Sequence, residues 1–294
     1  MQLSNGNGGD IPALAPYREM GAYEAIWNRD GMSFKKVADL FRDNPSLTAA
    51  DLVDEDLAFR TADQVMELFT GQGIDRFGVS INGSYEYPSR LRDARHPVEF
   101  LYYQGDWNLV FGRSVAVIGT RNPTQEGISR ARKLVRSLVK DEFIIVSGLA
   151  TGIDTIAHET AIKQGGRTMA VIGTALHGNY PKANANLQAE IRSDHLLISQ
   201  IPALRYDSQD YRINRRFFPE RNVTMSALTD ASIIVEAGET SGTLIQARAA
   251  IAQSRKLFIL DSCFENPRLT WPARFEKLGA VRVREYKDVR DNLT

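Results

Sequence analysis

The central part of the chain alternates short, continuously apolar runs with amphipathic helical patterns. Six apolar runs occur, and most lead into a loop of small residues; the runs begin at Ser114, Phe143, Met169, Leu196, Ser232 and Lys256. Strands that are apolar at every position, rather than at every second one, are typical of a parallel sheet covered by helices on both faces. The pattern predicts an α/β fold with a doubly wound, mostly parallel sheet. Its ligand crevice is expected at the carboxyl ends of the strands.

The segment from Phe143 to Asp154 gives the sharpest local signal. Its apolar run ends in Ser147 and Gly148, and a helical pattern starts directly after Gly152. A strand, a glycine loop and a helix N-terminus together present free backbone N–H groups and the positive end of a helix dipole. We therefore expect Ser147, Gly148 and Gly152 to contact a phosphate. The alternative is that the glycines only allow the strand to turn tightly into the helix.

Two further loops carry candidate phosphate ligands because they also follow predicted strands. The candidates are Gly119, Thr120, Arg121, Ser241, Gly242 and Thr243. An arginine at a strand end can bind a phosphate through two parallel hydrogen bonds, although it could instead pair with a surface carboxylate. The serine and threonine precede a predicted helix, so they offer hydroxyls and free N–H groups, or simply a helix cap.

Residues 205–221 interleave five arginines with four aromatic residues. Guanidinium–phosphate contacts combined with base stacking are typical of a groove for single-stranded nucleic acid. The alternative is a loop whose aromatic rings belong to the core and whose arginines are paired. Arg221 is the strongest single candidate in this segment, and Asn222 beside it is a second.

Composition and charge bound the remaining possibilities. The net charge is zero, but residues 1–80 contain seven Lys and Arg against thirteen Asp and Glu. The rest of the chain is therefore the part that can attract an anionic partner. One cysteine and the absence of a membrane-length apolar run or a signal-peptide pattern lead us to expect a cytoplasmic protein. We expect a disordered tail over 1–16, a small helical domain over 17–70 and the α/β domain over 71–294.

The sequence offers little for catalysis or for a cofactor. The spacing of Gly148 and Gly152, without a third glycine, does not fit the fingerprint of dinucleotide-binding folds. Asp154 and His158 lie four residues apart on one helix face, where such a pair is more often structural than catalytic. The four histidines show no spacing typical of a metal site. We expect no catalytic residue, no metal and no cofactor.

Several motifs together resemble the DprA/Smf family of DNA-processing proteins. They are Tyr87–Leu91, Pro97, Leu101–Gly105, Gly119–Arg121, Ser147–Asp154 with Ala157 and His158, Tyr180–Pro181, Phe218–Asn222 and Ser241–Thr243. They occur in the family's order and spacing over roughly residues 70–285. The segment from Ser147 to Asp154, combined with the later Phe218–Asn222, is the most specific part of this resemblance.

The resemblance implies a fold, a function and partners. It implies a helical N-terminal domain, an extended Rossmann-like domain, binding of single-stranded DNA, a homodimer and help in placing a RecA-type recombinase on that DNA during transformation. Val223 replaces a second arginine of the family's pattern, and Asp261-Ser262 replace its Pro-Gly. The chain is also expected to lack the C-terminal winged-helix module that many members carry.

Two other classes of function are consistent with the same residues. One is an enzyme or a sensor that acts on a free nucleotide through the same glycine-rich loops. The loop around Ser241–Thr243 faintly resembles that of the Lonely Guy nucleotide phosphoribohydrolases, which would make Glu239 the candidate catalytic carboxylate. A further alternative is a scaffold in which the acidic helical domain recruits a protein partner. We favour binding of single-stranded DNA without catalysis.

Overall fold

A computed structural model describes residues 14–293 and contains a nine-stranded sheet. Its strands are β1 (Gly78–Ile81), β2 (Phe100–Gly105), β3 (Ser114–Ile118), β4 (Ile144–Ser147), β5 (Thr168–Ile172), β6 (Leu196–Ser199), β7 (Ala231–Ile234), β8 (Lys256–Leu260) and β9 (Val281–Val283). The helices are α1 (Pro16–Trp27), α2 (Phe34–Asp43), α3 (Glu55–Gly71), α4 (Gln125–Lys140), α5 (Ile153–Lys163), α6 (Ala185–Asp194), α7 (Ala203–Ser208), α8 (Tyr211–Asn214), α9 (Phe217–Leu228), α10 (Thr243–Ala252), α11 (Asp261–Phe264), α12 (Trp271–Glu276) and α13 (Tyr286–Leu293).

The strand order confirms the predicted doubly wound, mostly parallel sheet. It runs β1-β2-β6-β5-β4-β3-β7-β8-β9, and every pairing from β6 to β9 is parallel. The β1–β2 and β2–β6 pairings are antiparallel. Helices α4 and α5 pack on one face of the sheet through residues such as Leu134 and Ile153, and α9, α10 and α12 pack on the other through residues such as Met225 and Leu244.

The position of the functional loops follows from this order. After β3 the chain adds β4, β5 and β6 on one side of that strand, whereas β7, β8 and β9 lie on its other side. The point between β3 and β7 is therefore where the order of the strands reverses. In open α/β sheets the loops at such a point diverge and leave a crevice at the carboxyl edge.

The N-terminal helices share a core with the α/β part. Rings of Tyr23 and Phe100 stack with centroids 5.0 Å apart, so α1 covers the antiparallel end of the sheet. The same apolar cluster contains Phe69 from α3, Ile172 from β5 and Phe217 from α9. The helical segment is thus predicted correctly as helical, and it is bound to the sheet by a continuous core.

Two sequence predictions concern the ends and the setting of the chain. Most of the tail predicted over 1–16 lies outside the described residues, and α1 already begins at Pro16. Within residues 14–293, no helix combines the length and the apolar character that crossing a membrane requires.

Candidate nucleic-acid interface

A cavity of about 410 Å³ lies at the carboxyl ends of β3 and β7. It is lined by Ile118, Gly119, Thr120, Arg121, Ala150, Asp154, Phe218, Pro219, Arg221, Asn222, Met225, Gly238, Thr240, Ser241, Gly242, Thr243, Ile245 and Gln246. These residues come from the loops after β3, β4 and β7 and from helices α5, α9 and α10. Eight of the eleven site residues predicted from the sequence meet here. We call this the carboxyl-edge cavity.

Arg121 is the exposed cation of the carboxyl-edge cavity. The loop that carries it is fixed at its start, because the backbone N–H of Thr120 donates to the carbonyl of Glu236 at 2.7 Å. The side chain of Arg121 is exposed, and none of the ion pairs among residues 14–293 involves it. Its guanidinium group is therefore available to an anion from outside the chain.

Arg221 is the second cation, and it is buried, with 5% of its surface exposed. Its Nη1 donates to the carbonyls of Gly148 and Val171 at 2.6 and 2.5 Å. Its Nε donates to the side-chain oxygen of Asn222 at 2.9 Å. The guanidinium lies so close over Gly148 that no Cβ could be accommodated there. Arg221 therefore joins α9 to the loop after β4 and to strand β5 while it lines the cavity.

The charged groups that the described residues bring to the cavity are two guanidinium groups, those of Arg121 and Arg221, and one carboxylate, that of Asp154. Burial lowers the pKa of Arg221 to about 10; the Asp154 carboxylate opposes that shift, and the charge of Arg121 adds to it. Arg221 remains protonated at neutral pH. Burial raises the pKa of Asp154, whereas Arg221 and backbone N–H groups lower it. Two guanidinium groups facing one carboxylate leave the lining with a net positive charge.

The loop after β7 supplies neutral polar groups to the cavity. The hydroxyl of Ser241 donates to that of Thr243 at 2.9 Å and accepts the backbone N–H of Thr243 at 3.2 Å. The amide of Asn222 donates to the carbonyl of Gly242 at 3.3 Å. The N–H groups of Thr243, Leu244 and Ile245 are thereby bonded within the loop and the first turn of α10. The helix contributes the positive end of its dipole, which lies at the cavity beside Arg121 and Arg221.

The structure does not bring Ser147, Gly148 and Gly152 to the cavity lining. Ser147 is buried, and its hydroxyl donates to the carbonyl of Val117 at 2.7 Å. The N–H of Gly148 donates to Asp154 at 3.1 Å, so the expected anion nest already holds a carboxylate of the same chain. Gly152 has a φ of +81° and lies directly against the loop after β3. The direct phosphate contact expected for these residues is therefore corrected. They instead support the loops that line the cavity.

Asp154 and His158 share one face of α5 but bond to different partners. Asp154 accepts the N–H groups of Gly148 and Ala150, and His158 Nδ1 lies 2.7 Å from the hydroxyl of Thr168. His158 is fully buried. The pair considered from the sequence is therefore built into the packing of α5 against the sheet.

Acid sensitivity is the expected consequence of burying His158. Burial, followed by the charges of His195 and Arg221, lowers its pKa to about 3 from 6.5. The unfolded chain thus binds the additional proton between these values, so the stability contributed by neutral His158 is present above pH 6.5 and lost as the pH falls. We expect His158→Asn to flatten the dependence of unfolding free energy on pH between 6.5 and 5, by up to about 1.4 kcal/mol per unit. Urea titrations at several pH values check this, and identical slopes would contradict it.

The basic and aromatic segment adjoins the cavity. Arg212, Arg215 and Arg216 are exposed, and Tyr211 is 66% exposed. The ring of Phe218, which lines the cavity, lies 5.5 Å from that of Tyr180. The segment contains both core and exposed aromatic rings, because Phe217 is buried in the core while Tyr211 is exposed.

Glu239 does not line the carboxyl-edge cavity. Its carboxylate accepts the hydroxyl and, at 2.8 Å, the backbone N–H of Thr270, and these bonds lower its pKa. Among residues 14–293, no cluster of three or more His, Cys, Asp or Glu side chains could hold a metal ion.

Several lining residues were not predicted from the sequence. Phe218, Arg221, Asn222 and Met225 occupy positions i, i+3, i+4 and i+7 of α9, which place them on one helix face. Extending the prediction for Arg221 by this period would have found Phe218 and Met225. Thr240 carries no such signal, because it lies in an irregular loop.

Comparisons with known proteins identify the family of the chain. The family model for DNA recombination-mediator protein A matches residues 79–294. The chain is 32% identical to DNA processing protein DprA of Bacillus subtilis over 231 residues, which cover 78% of this chain and 75% of that one. It is 31% identical to Protein Smf of Escherichia coli over 212 residues, which cover 70% of this chain and 54% of Smf.

Two solved structures share the fold. DprA from Streptococcus pneumoniae superposes with a TM-score of 0.67 at 28% identity, covering 95% of this chain and 93% of that one. DprA from Helicobacter pylori, reported for its unique single-stranded DNA binding mode, gives a TM-score of 0.62 at 28% identity. It covers 74% of this chain and 95% of its own. With the family model matched over most of the chain and the expected motifs gathered at one sheet edge, the chain belongs to the DprA/Smf family of DNA-processing proteins.

Proposed function

We propose that the protein binds single-stranded DNA at the carboxyl-edge cavity and along the exposed arginines beside it. The observation that carries this proposal is the convergence of Arg121, Arg221 and the N-terminus of α10 on one cavity. Among the described residues, the cavity holds two guanidinium groups and only one carboxylate, that of Asp154, so its excess positive charge favours an anion from outside the chain. A phosphate of the DNA backbone supplies that anion.

The two ends of the site suit different parts of a nucleotide. Arg121 at the exposed mouth is placed for a phosphate, with Arg212, Arg215 and Arg216 available to its neighbours. The cavity wall also has apolar groups that suit the face of a base, supplied by Ile118, Phe218, Met225 and Ile245. Exposed rings such as Tyr211 can stack on further bases regardless of their identity. Binding with weak base preference follows.

Membership of the family also suggests which partners the protein has. We propose that the protein acts in the cytoplasm as a homodimer and assists a RecA-type recombinase on single-stranded DNA. A dimer would present two carboxyl-edge cavities to one strand, which raises the effective concentration of the second site.

We propose binding without catalysis. The alternative of a nucleotide phosphoribohydrolase needs a carboxylate beside the bound nucleotide, and Glu239 is instead directed at Thr270, outside the cavity. Asp154 does line the cavity, but one of its carboxylate oxygens accepts two backbone N–H groups. Neither carboxylate is placed as a free general base.

Selectivity for single strands tests the proposal. A 30-nucleotide oligo-dT should bind more tightly than a 30-base-pair duplex of the same length, because stacking on exposed rings requires unpaired bases. The logarithm of the binding constant should fall linearly with the logarithm of salt concentration, by about 0.7 per phosphate contacted. Fluorescence anisotropy between 50 and 300 mM salt measures both quantities.

Free dTMP serves as the control in these titrations. The DNA-binding proposal predicts that dTMP competes only weakly, because one phosphate contacts few of the arginines. Equal affinity for duplex and single strand would overturn it. Release of the free base from a ribonucleoside monophosphate such as AMP would instead support the enzyme.

A further inference from the structure

The basic segment 203–217 is attached to the helical domain at its first residues. This segment joins β6 to α9 and contains α7 and α8. The first N–H groups of α7, those of Ala203 and Leu204, donate to the carboxylate of Glu24 at 2.6 and 3.1 Å. The hydroxyl of Tyr102 on β2 donates to the same carboxylate at 2.6 Å. Glu24 is fully buried, so these three donors replace its hydration.

A second attachment is made by Arg205. Its Nη1 donates to the carbonyls of Trp27 and Arg29 at 2.6 and 3.3 Å. These carbonyls lie at the C-terminus of α1, where the helix dipole favours a cation. Glu24 on α1 thus binds the start of α7, and Arg205 on α7 binds the end of α1.

The far end of the segment is fixed by aromatic packing. The ring of Phe217 lies 6.0 Å from Phe34 and 6.5 Å from Trp27, both on the helical domain. Phe217 is the first residue of α9, and one turn later that helix places Arg221 in the cavity. Both ends of the segment are thus held by helices that contribute no residue to the cavity lining.

The exposed arginines lie between these two anchors. Asn214 keeps the intervening chain folded, because its amide donates to the carbonyl of Tyr206 at 2.8 Å. Arg212, Arg215 and Arg216 project from the same stretch into solvent. Their position relative to the carboxyl-edge cavity is therefore determined by the contacts that Glu24 and Arg205 make with the ends of α1 and α7.

We propose that Glu24 and Arg205 are positioning residues for DNA binding: they hold segment 203–217 so that its arginines continue the phosphate track that begins at Arg121. This inference rests on the proposed function and assigns the acidic helical domain a part in it. The domain does not contact DNA; it sets the affinity by ordering the cations that do. Without the two attachments, the segment loses conformational entropy when DNA orders it, and this loss weakens binding.

The variant Glu24→Gln tests this role while preserving side-chain size. Its amide oxygen can still accept two of the three hydrogen bonds, but its NH₂ group must face a remaining N–H donor. The matched control is Glu19→Gln, five residues earlier on α1. Glu19 is also buried, and its carboxylate accepts the N–H of Ala50 at 3.1 Å, a contact that stays inside the helical domain. Assays at pH 8.5 keep Glu24 ionised, since burial raises its pKa to about 7.

We expect Glu24→Gln to weaken oligo-dT binding by about threefold to tenfold and to reduce the salt slope by about one phosphate contact, near 0.7. Hydrogen exchange in the free protein should become faster over 203–216. Glu19→Gln should change neither. The salt slope separates positioning from stability, because a partly unfolded sample loses active protein without changing the slope of the folded fraction.

Unchanged slope and exchange in Glu24→Gln, or equal changes in both glutamate variants, would overturn the inference. Arg205→Met, which keeps the aliphatic stem, provides the same test from the other attachment if Glu24→Gln does not fold. If the unmodified protein binds no oligo-dT, the proposed function fails. The exchange comparison then still decides whether Glu24 holds the segment.

Discussion

Replacing Arg121 by alanine is expected to lower the affinity for oligo-dT by about tenfold to a hundredfold. The guanidinium is exposed at the mouth of the carboxyl-edge cavity, and no carboxylate among the described residues pairs with it. A charge-assisted contact with phosphate contributes about 1.5–3 kcal/mol, which corresponds to this range. The salt slope should also fall by about 0.7, because one phosphate contact is lost.

Three variants make the Arg121→Ala measurement specific. Arg121→Lys keeps the charge but loses the planar fork, so it should recover only part of the affinity. Arg60→Ala removes an equal charge from an exposed position on α3 and should have little effect. Glu239→Ala should leave binding unchanged, because that carboxylate is held by Thr270. A normal affinity in Arg121→Ala, with the protein folded, would show that DNA does not use this cavity.

The meeting of two of the predicted loops could be foreseen from the sequence because it depends on sheet geometry alone. Continuously apolar strands imply a parallel sheet, and the loops that follow parallel strands share one edge. Gly119–Arg121 and Ser241–Thr243 accordingly line one cavity, whereas Arg221 and Asn222 reach it from helix α9 rather than from a loop. The pairing of β3 with β7 could not be predicted, because periodicity contains no information about strand order.

The antiparallel end of the sheet was harder to predict from the sequence. β1 has only four residues and lies in a stretch without a clear alternating pattern. The neighbouring strand β2 pairs with β6, which lies almost one hundred residues later in the chain. The contact between Glu24 and Ala203 at the start of α7 joins residues that are 179 positions apart, so no local pattern could reveal it.

The supporting role of Ser147 and Gly148 also depends on tertiary contacts. Their N–H groups and small side chains have the composition of an anion nest, and the sequence cannot say which anion occupies it. In the folded chain Asp154, the second residue of α5, supplies a carboxylate to the N–H of Gly148. Arg221 then closes over Gly148 and neutralises part of that charge. The sequence predicted a phosphate at these residues, and the structure places a carboxylate of the same chain at the N–H of Gly148 instead.

Replacing Arg221 by alanine is expected to have the largest effect on stability, lowering the free energy of unfolding by about 3–5 kcal/mol. The change leaves the carbonyls of Gly148 and Val171 without their donor and leaves Asp154 as a buried carboxylate without a counter-charge. Unfolding in urea measures the loss.

Two further variants separate the buried charge from the hydrogen bonds of Arg221. Arg221→Lys should recover little, because one ammonium group cannot reach both carbonyls and the Asn222 oxygen together. Combining Arg221→Met with Asp154→Asn should be less damaging than the sum of the two single changes, since the unpaired carboxylate is removed. If the free energy of unfolding of Arg221→Ala lies within about 1 kcal/mol of that of the unmodified protein, the guanidinium does not link α9 to the loop after β4 and to β5. Its contribution would then be confined to the DNA.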